Sequence, residues 1–151
     1  MRVLTVRQPW AWAIIHGGKD VENRSRNLAG GYRGPVAIHA GLTAVDYDDP
    51  VWEQNEYRDA FARETSAVRH RVDERGSIIG VVDLVDVHND EGPGPHDDPN
   101  GCCTSVWHED GEWHLVLANP RPLTEPIPFK GGLGLRKLTP ETINLIEGAL
   151  S

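Results

Sequence analysis

Alternation opens the chain. Leu4, Val6 and Gln8 share one parity and Val3, Thr5 and Arg7 the other, which predicts a strand. Pro9 suits a first helical position, and Trp10, Ala11, Ala13, Ile14 and Ile15 continue as one or two helical turns until Gly17-Gly18 stops them. Val21 to Ser25 predicts a second strand. A glycine-rich loop over 27–34 follows, then a third strand from Pro35 to Ala40. Residues 51–71 have helical spacing, with Trp52, Tyr57, Ala60, Phe61 and Val68 on one broad face, and Arg75-Gly76 ends them. Ser77 to His88 is the longest apolar run. Its β-branched residues fall on both parities, which predicts a strand covered on both sides.

The remaining third is punctuated more heavily. Residues 89–101 are rich in Asp, Pro and Gly and read as a loop. Ser105–His108 and Glu112–Leu117, around Asp110-Gly111, predict a hairpin with Trp107 and Trp113 flanking its turn. The four prolines between Asn119 and Phe129 allow at most an edge strand. Thr139-Pro140-Glu141 is a helix N-terminus, and its helix runs to about Glu147. Strands dominate without βαβ alternation, so the expected fold is one α+β domain over residues 1–151, a small barrel with helices packed outside it.

Composition narrows the class. The chain has 151 residues, enough for a full core, and no apolar run long enough to span a membrane. With no leader-like apolar segment at the start, the expected location is the cytoplasm. Cys102 and Cys103 are adjacent, which suits reduced thiols better than a disulfide. No histidine spacing suits a metal, His96-Asp97-Asp98 included, and no cofactor motif is present: Gly131–Lys137 lacks the Lys-Ser/Thr ending of a phosphate loop. Net charge is −8, which disfavours a general nucleic-acid coat. Its distribution is uneven. Residues 1–40 carry six bases against two acids, whereas Asp83–Glu112 carries nine acids and no Lys or Arg. One face can therefore hold an anionic strand, while the acidic stretch can dock a basic protein partner.

Candidate chemistry gathers in residues 8–24. An amide (Gln8) presents paired donor and acceptor atoms, the complement of a base edge, and Trp10 supplies a stacking face. Glu22 and Arg24 share a strand face, and Lys19 sits at the turn between helix and strand, where a neighbouring carboxylate can tune it for acid–base or nucleophilic work. Asp83, inside an apolar run, needs either a polar cleft or a partner such as Arg24 or Lys19. His39 ends the third strand and can serve as an acid or base beside a carboxylate. Arg7, Arg26 and Arg33 are the further candidates for phosphate.

Gln8-Pro9-Trp10-Ala11, Gly18-Lys19 with Val21-Glu22 and Arg24, and Arg33-Gly34-Pro35-Val36-Ala37-Ile38-His39-Ala40 resemble the ASCH domain, of the PUA-like superfamily. The resemblance continues more weakly through Gly76–Asp86, Trp113–Pro120 and Gly131–Leu135. It implies a PUA-like mixed β-barrel with flanking helices and a cleft for RNA or a modified nucleoside. Some small ASCH proteins are amidohydrolases of acetylcytidine that look as if they use a Lys, a Thr three residues later and a distant acid. Lys19 matches the Lys, Glu22 stands at the Thr position, and Asp83 or Asp86 would be the acid. The expected function is therefore binding of single-stranded RNA or a nucleotide, with DNA as a lesser partner. The alternatives are a ribonuclease or an amidohydrolase in which Lys19, Glu22 and Asp83 are catalytic, and a protein-interaction module using the acidic 83–112 region. Oligomeric state is left open.

Overall fold

The computed structural model describes residues 1–89 and 105–150. The adjacent cysteines, the His96 motif and the middle of the acidic stretch lie outside the described residues. Six strands, β1 (Arg2–Val6), β2 (Val21–Arg24), β3 (Gly34–Ala40), β4 (Ser77–Asn89), β5 (Trp113–Pro128) and β6 (Leu135–Lys137), form one sheet in the order β2-β5-β4-β3-β1-β6. Only the β1–β3 pair is parallel. The sheet curls into a half-barrel, and helices α1 (Trp10–His16), α2 (Asn55–Arg63), α3 (Ser66–His70) and α4 (Pro140–Ala149) flank it. The expected α+β class and PUA-like architecture hold. Among the described residues, no helix is long and apolar enough to cross a membrane.

The apolar run of β4 is covered on both faces. Ile79, Val82 and Leu84 join Leu4, Val6, Ile14 and Ile38 in one core cluster, while Ile78 and Val81 join Val3, Leu123 and Ile146 beneath α4. α1 lies against β4 at Gly80, where a Cβ would come within 2.6 Å of Ile15 Cδ1 and 2.9 Å of the Arg121 carbonyl. That closeness fixes the direction in which the chain leaves α1. Gly18, at φ +74°, turns it, and the Lys19 N–H returns to the Ala13 carbonyl at 3.0 Å.

Two elements differ from expectation, and a third, the proline-rich edge, is part of a longer strand. The 51–71 helix is broken into a 3-10 turn (Pro50–Glu53), α2, α3 and a second 3-10 turn (Arg71–Asp73), because Gln54 and Thr65 take extended conformations and start new helices. The Thr65 hydroxyl caps α3 by accepting the Val68 N–H at 3.3 Å. The 105–117 hairpin does not form: residues 105–112 are turns, and β5 pairs with β4 and β2 instead. The proline-rich stretch belongs to β5 itself. Its prolines fall where β5 pairs with β4 alone and where the register slips, so the missing donors interrupt little of the ladder.

Candidate functional site

β1 ends at Val6, so Gln8 is the hinge into α1 and not a strand residue. It is fully buried, and its amide is spent on the backbone. Oε1 accepts the Trp12 N–H at 2.8 Å, and Nε2 donates to the carbonyls of Glu74 at 3.2 Å and Arg71 at 3.4 Å. This corrects the base-reading role expected of Gln8: its amide clasps α1 to the 71–74 turn. Just beyond it, Trp10 is half-buried and meets the Trp107 ring edge-on, with centroids 6.3 Å apart and planes at 89°.

Lys19 and Glu22 lie beneath this corner, both buried. The Lys19 ammonium donates to Glu22 Oε2 at 3.2 Å and to the Val21 carbonyl, and sits 5.5 Å from the centre of the Trp10 ring. Glu22 Oε1 takes Arg24, with Nη2 at 3.0 Å and Nε at 3.1 Å. Arg24 Nη2 also donates to the Thr5 carbonyl at 2.9 Å. β2 and β1 stand four places apart in the sheet, so this arginine spans the opening of the curl and staples its two sides. The charges run plus, minus, plus across a largely desolvated floor, an arrangement that is stable only with all three in place.

The wall opposite comes from the turns at 105–112, tied down by polar residues of β2 and its approach. Asn23 Nδ2 donates to the Trp107 carbonyl at 2.9 Å, and Asn23 Oδ1 accepts the Glu109 N–H at 3.0 Å. Asp20, just before β2 begins, accepts the Ser105 hydroxyl. The result is a cleft of about 430 Å³ lined by Trp10, Trp107, Lys19, Glu22, Asn23, Gln54, Glu56, Val106, His108 and Glu109. Asn23 and Trp107 were not among the expected site residues. Asn23 lies between the two charged members on the opposite parity, and the sequence around Trp107 predicts a hairpin.

The other expected residues lie elsewhere. Asp83 does not meet Lys19 or Arg24. It pairs with Arg121 and accepts Asn119 Nδ2 at 3.0 Å on the outer surface of the β4–β5 ladder, so it supplies no base to the cleft. Asn119 can reach it because it adopts φ +51° at the register slip. His39 is buried away from the cleft. Its Nε2 lies 2.8 Å from the Phe129 carbonyl and must donate, so Nδ1, at 3.1 Å, accepts the Thr5 hydroxyl. Burial holds its pKa below the ordinary value, the Phe129 carbonyl opposing. A neutral ring with both nitrogens engaged fits a structural role, not the acid–base role expected. Arg7 and Arg26 are exposed, and Arg33 folds back on the Gly30 and Tyr32 carbonyls at 3.1 and 2.7 Å. None of the three arginines lines the cleft. Among the described residues no group of His, Cys, Asp and Glu is arranged to hold a metal.

A family model, the ASCH domain, matches residues 4–127. This chain belongs to the ASCH family. The match takes in β1 through nearly all of β5 and every cleft residue named above. A crystal structure of a mutant ZmASCH protein from Zymomonas mobilis superposes with a TM-score of 0.54 at 18% identity, covering 99% of this chain and 98% of that one. At that identity it speaks to the fold. An ASCH protein thus shares this fold with a largely different sequence.

Proposed function

We propose that the cleft binds an unpaired base of single-stranded RNA, or the corresponding nucleoside, against the corner formed by Trp10 and Trp107. One observation carries this reading: two tryptophans at right angles stand over a buried Lys19–Glu22 pair in a cavity of about 430 Å³. The size suits a ligand of nucleoside scale, since small-molecule sites run from about 300 to 1,000 Å³. An aromatic wall adds about 1–3 kcal/mol per stacked base. Among the described residues the lining holds three carboxylates, Glu22, Glu56 and Glu109, against one ammonium, Lys19. Such a cleft favours a neutral ring with exocyclic donors and disfavours a phosphate. Membership of a PUA-like family supports a nucleic-acid partner.

The test is calorimetric titration of wild type and Trp107→Ala with cytidine and with a short single-stranded RNA. Wild type binds and Trp107→Ala loses about tenfold or more, as expected of a stacking contact. Trp107→Phe, which keeps an aromatic face, recovers most of the loss. Equal binding by wild type and Trp107→Ala removes the cleft assignment, and single-stranded DNA in a parallel titration shows whether the 2′-hydroxyl matters.

A hydrolytic reading has one specific observation in its favour: Lys19 and Glu22, 3.2 Å apart, form the floor of the same cleft. It requires Lys19 to exchange its proton with Glu22 during turnover. It lacks the hydroxyl of the acetylcytidine amidohydrolase pattern, since Glu22 stands there, and Asp83 is out of reach. Incubation with acetylcytidine and with an RNA pool decides it: turnover that is abolished by Lys19→Met establishes catalysis, and no turnover of either substrate ends this reading.

A further inference from the structure

A second cavity lies at the ends of β1, β3 and β5. It is an open shelf of about 700 Å³, lined by Thr5, Arg7, His39, Leu42, Phe129 and Lys130 with small residues between them. Its surface is largely apolar: Phe129 is half-buried, and Leu42 is 82% exposed at its edge. Among the described residues no carboxylate lines it, although the chain as a whole carries a net charge of −8. Arg7 and Lys130 are both exposed, and neither guanidinium nor ammonium has a partner among the described residues. Arg136 adds a third cation behind Phe129, its guanidinium 5.8 Å from the ring centre and donating to the Lys130 carbonyl at 3.1 Å.

The floor of the shelf is built, not incidental. The Thr5 hydroxyl accepts the Gly132 N–H at 3.2 Å and donates to His39 Nδ1 at 3.1 Å, and His39 Nε2 holds the Phe129 carbonyl. Gly131 passes so close over His39 that a Cβ there would come within 2.6 Å of its ring. The strand leading to Phe129 and Lys130 is thereby pinned to β1, with its cations turned outward.

We infer that this shelf is the subsite for the phosphate and sugar of the nucleotide next to the base held in the cleft, with Arg7 and Lys130 as the phosphate contacts. The inference rests on the reading of the cleft given above. The two cavities have opposite electrostatics. The cleft accepts a base and repels phosphate, so a bound strand needs a cationic surface nearby to take its backbone. Arg7 on the shelf and Trp10 in the cleft are three residues apart, so their Cα atoms are separated by at most about 11 Å. One or two nucleotides cover that distance. Phe129 and Leu42 offer apolar surface to the flanking sugar or base, as single-strand binders commonly do.

Arg7→Gln/Lys130→Gln tests the assignment, using the full chain and two probes, cytidine and a short single-stranded RNA. Both side chains are exposed, and circular dichroism verifies that the fold is kept. Removing two phosphate contacts should lower the slope of log affinity against log salt by about 1.4, about 0.7 for each. RNA affinity at low salt should fall by about tenfold or more, while cytidine affinity stays at the wild-type value. Amide resonances of Thr5, Gly131 and Gly132 should shift with RNA and stay still with cytidine. An unchanged slope and affinity for RNA overturns the shelf, as does failure of wild type to bind RNA at low salt. Failure of cytidine to bind, with the RNA slope falling as stated, overturns the cleft and leaves the shelf standing.

Discussion

Glu22 and Asp83 each stand between two partners, and the two carboxylates live differently. Glu22 is only 9% exposed and lies between Lys19 and Arg24, which joins opposite sides of the curled sheet. Asp83 is 29% exposed and joins Asn119 and a 40% exposed Arg121 across one ladder of the same sheet. The first pair of contacts closes the architecture and floors a cleft. The second only decorates a strand pairing that backbone hydrogen bonds already make. Proximity of opposite charges is common to both; what separates them is water. Where water reaches the pair, breaking it leaves a solvated ion, and where it does not, breaking it leaves an orphan.

The widest gap between the two should appear on neutralising the carboxylates. Glu22→Gln leaves the buried Lys19 and the half-buried Arg24 without their counter-charge and should cost about 3 kcal/mol in urea unfolding. A loss below about 1 kcal/mol would place Glu22 in the same class as Asp83. Replacing the whole cluster, as Lys19→Met/Glu22→Leu/Arg24→Met, should return most of that stability while abolishing cytidine binding, since apolar isosteres avoid the orphaned charge. If binding survives the triple replacement, the cluster is architecture alone.

A smaller effect is expected from pH, through a group next to neither carboxylate. His16, at the end of α1, is held down to about 4 by burial and then by the nearby Arg71. Its unfolded pKa, near 6.5, lies above the folded one, so the unfolded chain binds the proton first as pH falls. Stability present above pH 6.5 is lost progressively towards pH 4, and His16→Gln should flatten that part of the curve in urea melts. A wild-type slope in the variant would assign the acid limb to the carboxylates. The smallest effect belongs to Asp83→Asn, which should change stability by no more than about 1 kcal/mol and leave cytidine affinity untouched. A larger loss of binding would bring Asp83 back to the site.

Much of this was legible in the chain because local rules decide it. β1, β3, β4 and α4 follow from periodicity and caps, and the Lys19–Glu22–Arg24 association follows from strand parity and the turn at Gly18. What escaped depends on distant partners. Nothing near Gln8 indicates that the carbonyls of Arg71 and Glu74 will consume its amide. Asp83 had candidate cations in residues 19–24, but β5 brings Arg121 to its side first. Trp107 was assigned to a hairpin because Asp110-Gly111 is a good turn. The turn is real, with Gly111 at φ +80°, yet β4 takes β5 as its partner and leaves Trp107 to close the cleft.

The proportions of the sheet bear on how the molecule behaves in a crowd. Its long members, β4 and β5, are interior, and its two edges are β2 with four residues and β6 with three. Where β5 outruns β2 and would offer a bare edge of its own, prolines 120, 122, 126 and 128 remove donors from it. A neighbouring chain looking for a strand to extend finds two short stubs and a proline fence. The same prolines that confine this segment to a sheet edge thus protect the protein against templated aggregation.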